Sequence, residues 1–207
     1  MTSLPPPSLA ADRATLRAYF EETWALCEWL FSAVDERALY SQPDPLRHPL
    51  IFYLGHPAAF YINKLRLAGL LDAPVDAALE ALFAKGVDPH GADDLDAIAG
   101  WPPVAVVRAY RARVADVVRR VIDTAPLPPF VTWDHPLWAL HMGLEHDRIH
   151  FETIARCSSG SSGEAVRGWT TGATPTGGPA PALRFEACPP DRDAGSPARL
   201  GNPRLGQ

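Results

Sequence analysis

Apolar residues recur at steps of three and four along most of the chain, which is the spacing of one face of an α-helix. The pattern predicts long helices over residues 11–34, 49–69, 104–123 and 134–156, and a short amphipathic piece over residues 75–84. Asp134 is the predicted N-cap of the last helix, with Pro136 just inside it. No segment shows the alternation of a strand, so the sequence predicts an all-α, four-helix bundle.

The helix predicted over residues 104–123 has one apolar and one basic face. The apolar face consists of valines and one tyrosine at helical spacing. Its arginines are predicted mostly to face water, and they are Arg108, Arg111, Arg113, Arg119 and Arg120.

Residues 157–207 differ in character from the rest of the chain. They are dominated by Gly, Pro, Ser, Thr, Ala and Arg and have neither helical nor strand periodicity. Such a segment buries too little apolar surface to offset its ordering entropy, which predicts disorder. The predicted organisation is therefore a bundle over residues 11–156 followed by a disordered tail over residues 157–207.

Composition narrows the classes of function. The net charge of −5 and the pI near 5.8 argue against nucleic acid and anionic membranes as partners. No long apolar run and no signal-like start occur, which predicts a cytoplasmic protein. The three cysteines form no CxxC motif, and Cys27 is predicted to be a small buried apolar side chain in the first helix.

Three histidines are candidate metal ligands. His146 and His150 are four residues apart on a predicted helix, so both imidazoles lie on one face and can reach one metal ion. This spacing alone is weak evidence for a metal site, because histidine pairs four residues apart also occur on solvent-exposed helix surfaces. His56 lies in an apolar stretch and is the third candidate, although a core histidine bonded to a carbonyl would look the same. His141, five residues before His146, points to another face and is left out.

Three neutral imidazoles suit zinc, iron, nickel or copper, and three protein ligands leave positions open for substrate, as in catalytic sites. Glu152 is predicted to orient a ligand histidine by accepting its N–H, a role that Glu145 and Asp147 share as candidates. The alternative is that these carboxylates are solvated helix charges.

Several segments together resemble a known family. Residues 44–56 (DPLRHPLIFYLGH), 60–65 (FYINKL), 101–102 (WP), 107–111 (VRAYR) and 142–153 (MGLEHDRIHFET) resemble the N-terminal DinB-like domain of 5-histidylcysteine sulfoxide synthase. This enzyme of ovothiol biosynthesis is related to the ergothioneine sulfoxide synthases. Shorter matches lie at residues 86–88 and 93–95, and the similarity covers roughly residues 12–153.

The resemblance implies a mononuclear iron(II) site whose ligands fall on His56, His146 and His150. It also implies a non-haem iron oxidoreductase that uses oxygen to join cysteine and histidine in a sulfoxide. The family's full enzymes continue into a formylglycine-generating-enzyme-like domain, which supplies much of the substrate pocket. Since the similarity ends near residue 153 or 156, we expect a truncated chain that is inactive alone or needs a separate catalytic-domain partner.

Two alternatives remain at this point. The chain could be a stand-alone DinB-like thiol transferase or hydrolase that uses zinc or nickel, because one fold hosts several chemistries. It could also be a non-catalytic remnant.

Pro57 follows His56 directly. A proline inside a helix removes a backbone donor and costs about 3 kcal/mol unless the helix kinks. The sequence therefore predicts the direction of His56 less firmly than that of the other two histidines.

Overall fold

The computed structural model describes residues 4–42, 47–84 and 100–160, apart from the side chains of residues 152, 153 and 155–160. These ranges contain five α-helices and no strand. The helices are α1 (Arg13–Ser32), α2 (Leu50–Leu67), α3 (Ala77–Phe83), α4 (Val104–Thr124) and α5 (Trp138–Gly160), with a 3₁₀ turn at Ala38–Tyr40. The predicted all-α fold is confirmed. Residues 161–207, predicted to be disordered, lie outside the described ranges.

Local sequence explains where most helices begin. Asp12 caps α1 by accepting from the backbone N–H of Thr15 at 2.8 Å, and Asp76 caps α3 by accepting from Leu79 at 3.2 Å. Proline occupies the N-cap of both α2 and α4, where its missing N–H costs nothing. Helix α2 ends just before Gly69, whose φ of 73° suits a residue without Cβ.

The predicted start of the last helix is wrong. Helix α5 begins at Trp138, and Asp134 does not cap it, because the Asp134 carboxylate bonds to the side chain of Thr132. The imidazole Nδ1 of His135 instead accepts from the backbone N–H of Leu137 at 3.2 Å. The helix also runs on to Gly160, beyond the predicted end at residue 156.

Helix α2 lies at the centre of the bundle. It is buried on nearly all sides, and it packs against α3, α4 and α5, while α1 packs against α4 and α5. The helix continues through Pro57, which is itself buried. The residues before and after this proline therefore belong to one continuous helix, which packs against α5.

One arginine of α4 is an exception to the prediction that these arginines mostly face water. Arg111 is only 1% exposed, whereas Arg108, Arg113 and Arg119 are partly or largely exposed. Its Nε donates to Glu28 and its Nη1 donates to the carbonyl of Leu54, both at 2.8 Å. The guanidinium also lies over the ring of Trp24, 4.3 Å from its centroid. These contacts compensate the charge inside the core.

Cys27 is buried and unpaired, as predicted, and burial raises the pKa of its thiol to about 12. Among the described helices, none is long and apolar enough to cross a membrane.

Candidate metal centre

The structure brings the three predicted histidines together. His56 lies in the middle of α2, and His146 and His150 lie on successive turns of α5, the helix that packs against α2. The Nε2 atoms of His146 and His150 are 3.1 Å apart. One nitrogen from each of the three rings lies within 4.8 Å of the other two. His141 is buried on α5 but does not belong to this group.

This geometry fits a transition-metal ion. Two nitrogens bound about 2.1 Å from one metal at angles of roughly 90–110° lie about 3 to 3.4 Å apart. The 3.1 Å between His146 and His150 falls in that range, although it equally suits a hydrogen bond between the two rings. The donor set of three imidazoles favours zinc, iron, nickel or copper over magnesium or calcium. The residues present therefore fit a divalent transition metal, and the donor set does not select one.

The orientation of His56 leaves one ring nitrogen free for a ligand bond. Its Nδ1 lies 2.6 Å from the carbonyl oxygen of Phe83, so Nδ1 carries the proton and donates. Its Nε2 is buried and has no hydrogen-bond partner in the described ranges. A buried acceptor without a partner is costly. The hydrogen bond to a carbonyl that is expected of an ordinary core histidine is thus present, but it leaves Nε2, the candidate metal-binding atom, without a partner.

Burial keeps all three imidazoles neutral, which is the form that binds metal. It lowers the pKa of His146 to about 3, with further lowering from the nearby His150, His56 and Lys64. It lowers the pKa of His150 to about 4, with His56 as the second cause. The pKa of His56 is also lowered by burial, against a raising effect of the Phe83 carbonyl. Protons therefore compete weakly with a metal ion near pH 7.

Aromatic side chains fix the rings. Phe60 stacks on His146 with centroids 3.6 Å apart and planes 4° from parallel. Phe52 stacks on His56 at 4.7 Å and 20°. These phenylalanines were not identified from the sequence. The signal was present, because Phe52, His56 and Phe60 are four residues apart on α2 and so share one face.

The predicted carboxylate partners of the ligands take other positions. Asp147 is fully buried, and burial raises its pKa to about 7 against the lowering effects of Arg111 and Arg148. Glu145 accepts from the hydroxyl of Tyr19 at 3.2 Å. Within the described ranges neither carboxylate bonds to a ligand histidine. The side chain of Glu152 lies outside the described residues.

The fold and the site together define an all-helical protein whose central and last helices bring three histidines close enough to hold one metal ion. Residues 19–154 match the family model of the DinB superfamily, and the chain belongs to this superfamily. DinB-like domains commonly bind metals. No curated protein matches the sequence.

Proposed function

We propose that this chain is the iron(II)-binding helical domain of a 5-histidylcysteine sulfoxide synthase, with His56, His146 and His150 as the iron ligands. The observation that carries the proposal is the convergence of these three nitrogens within 4.8 Å. The more specific assignment rests on the resemblance of residues 44–56 and 142–153 to that family, because these segments contain all three histidines.

The protein's own contribution would be to hold and shield the metal. Three ligands leave further coordination positions open, as in catalytic rather than structural sites. A bound iron ion would supply a redox centre and a template that brings cysteine and oxygen together. The stacked rings of Phe52 and Phe60 limit rotation of His56 and His146 and exclude water from one side of the site. The bundle would thus provide a preformed ligand set.

Substrate binding is assigned to a second domain in this proposal. The resemblance implies that a formylglycine-generating-enzyme-like domain supplies much of the pocket for cysteine and histidine. We therefore expect the 207-residue chain to bind iron but to turn over cysteine, histidine and oxygen only when such a domain is supplied as a partner.

Anaerobic iron(II) titration of the purified chain, read by metal analysis, tests the proposal. We expect one iron per chain in the parent and none in a His146→Ala, His150→Ala double variant. The control is His135→Gln, because His135 lies just before α5 and outside the three-histidine group. Exclusive binding of zinc or nickel in the parent would favour a thiol transferase or hydrolase instead. Absence of any metal would indicate a non-catalytic remnant.

A second measurement tests the reaction. Oxygen consumption is followed with cysteine and histidine, with and without an added second domain from a sulfoxide synthase. Oxygen uptake coupled to sulfoxide formation only in the mixture is the expected result. Conjugation of a thiol to an electrophile by the isolated chain would contradict the proposed function.

A further inference from the structure

Three polar side chains are buried in the core of the bundle, and one of them lies on α5 beside His146. Asp147 on α5 is 0% exposed, as is Tyr61 on α2, and Arg111 on α4 is 1% exposed. Both carboxylate oxygens of Asp147, the hydroxyl of Tyr61 and Nη2 of Arg111 have no hydrogen-bond partner in the part of the chain that the structure describes. Buried polar groups in native proteins are almost always satisfied, so this cluster requires an explanation.

Arg111 and Tyr61 lie beside the same ring, because the Trp24 centroid is 4.3 Å from the guanidinium carbon and 6.4 Å from the Tyr61 centroid. No hydrogen bond joins either of them to Asp147 in the described part of the chain. The charge of Asp147 acts on both Tyr61 and Arg111. Arg111 nevertheless forms its ion pair with Glu28, and within the described ranges it forms none with Asp147. A separation too long for a hydrogen bond between groups of this kind is the usual place for a bridging water.

Packing shows how Tyr61 reaches this region. Gly143 on α5 has no side chain, and a Cβ added there would overlap the Tyr61 ring. Gly143 and Asp147 are four residues apart on one helix and so lie on the same face, one turn apart. The Tyr61 ring therefore packs against the same face of α5 that carries the Asp147 carboxylate.

We propose that Asp147, Arg111 and Tyr61 enclose a site for internal water. Buried waters make two to four hydrogen bonds, and the cluster supplies acceptors from the carboxylate and donors from the guanidinium and the hydroxyl. The water-mediated contact ties α5 to α4 and α2 at Asp147, which lies between His146 and His150 in sequence. Asp147 is thus a positioning residue that fixes α5 against α2 and α4, and with it the placement of His146 and His150 relative to His56. This positioning role rests on the metal site of the proposed function, whereas the water site itself does not.

Cobalt(II), a spectroscopic probe of the site, tests the positioning role in the full chain. We expect Asp147→Leu to weaken cobalt binding about 10- to 100-fold and to shift the visible absorption bands of the bound ion. The matched control is Asp116→Asn, an acidic residue on α4 whose side chain is 71% exposed, and its affinity should stay within about twofold of the parent. A folded Asp147→Leu variant with the parent's affinity and spectrum would overturn the positioning role. If that variant does not fold, Asp147→Asn takes its place with the same criterion.

A double-mutant cycle tests the water site without metal. Tyr61→Phe and Asp147→Asn are combined in the metal-free chain, and urea unfolding is measured for each. We expect the two substitutions to be coupled by more than about twofold in the unfolding equilibrium constant. Strictly additive effects, or a high-resolution crystal structure with Asp147 bonded directly to Arg111 and no water between them, would overturn the water site. A parent chain that binds neither cobalt nor iron(II) would overturn the positioning role and the proposed function. The double-mutant cycle would still test the water site, because it uses the metal-free chain.

Discussion

The imidazole of His56 donates from Nδ1 to the carbonyl oxygen of Phe83, the last residue of α3, across 2.6 Å. This bond fixes the tautomer that leaves Nε2 available, so the position of a seven-residue helix sets the direction of a candidate metal ligand. Glu80 secures the start of α3, because its carboxylate accepts from the backbone N–H groups of Val75 and Asp76 at 2.7 and 3.0 Å.

The contact between α2 and α3 depends on Gly55. A Cβ at this position would overlap the ring of Phe83, so Gly55→Ala must displace this ring or the end of α3 that carries it. We expect a loss of about 1–3 kcal/mol in the free energy of unfolding, which is typical of overpacking, and weaker cobalt binding because the Phe83 carbonyl moves. Urea unfolding and cobalt titration measure the two effects.

The control for this prediction removes the obstacle. In a Phe83→Ala background the same Gly55→Ala substitution has no ring to displace and should cost little more. An equal cost in both backgrounds would show that the Phe83 ring is not the cause.

Arg108 and Arg111 offer a matched comparison of burial. Each donates to one carboxylate oxygen of Glu28 at 2.8 Å, but Arg108 has a 36% exposed side chain and Arg111 a 1% exposed one. We expect Arg111→Met to cost about 1–3 kcal/mol, because it leaves the buried carbonyl of Leu54 without its donor. Arg108→Met should cost less than about 1 kcal/mol. Urea denaturation of both variants decides the matter, and similar losses would contradict the burial argument.

The stacking of Phe60 on His146 should influence metal affinity. Phe60→Leu keeps an apolar side chain but loses the parallel ring 3.6 Å from the imidazole. Aromatic pairs are worth about 0.5–1.5 kcal/mol beyond area burial, so cobalt affinity should fall by about tenfold or less while the helical content is retained. Cobalt titration and circular dichroism test this. An unchanged dissociation constant would mean that the imidazole keeps its orientation without the ring.

Glu21 should make stability depend on acid pH. Hydrogen bonds from Arg119, and then from Arg17, lower its pKa from 4.5 to about 2 against the opposing effect of burial. Since the pKa is lower in the folded state, the ionised carboxylate stabilises the fold above pH 4.5, and this contribution is lost as the pH falls towards 2. The side chain is 39% exposed, so solvent screening limits the effect to below about 1 kcal/mol.

The test of this prediction compares the parent with Glu21→Gln. Urea midpoints are measured between pH 4.5 and 2, at low and high salt. The variant should lose less stability over this window than the parent does. Identical slopes would show that Glu21 does not contribute.

The sequence predicted the helices well because their apolar periodicity is long and regular. The placement of His146 and His150 on one face of α5 was predicted from their spacing, since four residues along an α-helix determine the relative placement of two side chains. The direction of His56 was less predictable. Its partner is a backbone carbonyl, which every residue possesses, and no side-chain pattern identifies Phe83 as the one that lies nearby.

The burial of Arg111 and Asp147 was not predicted, because charged residues on an amphipathic helix are expected on the solvent-exposed face. Their positions relative to the neighbouring apolar residues nevertheless indicated burial. Arg111 lies four residues after Val107 and three before Val114, on the buried stripe of α4. Asp147 lies three residues after the buried Leu144 in the same way. A charge that interrupts an apolar stripe at core spacing thus indicates a buried polar contact, but the compensating partners become visible only when the helices are packed.

The candidate ligands come from α2 and α5, two helices far apart in the sequence that pack against each other. A metal ion held by His56, His146 and His150 would therefore act as a cross-link between the central helix and the last helix, comparable in effect to a reversible disulfide. Any ion that binds only the folded chain raises its stability by mass action, by about 2.7 kcal/mol at a concentration 100 times the dissociation constant. Metal supply would then determine how often α5 separates from the bundle, and chelators would promote local opening at this end of the chain first.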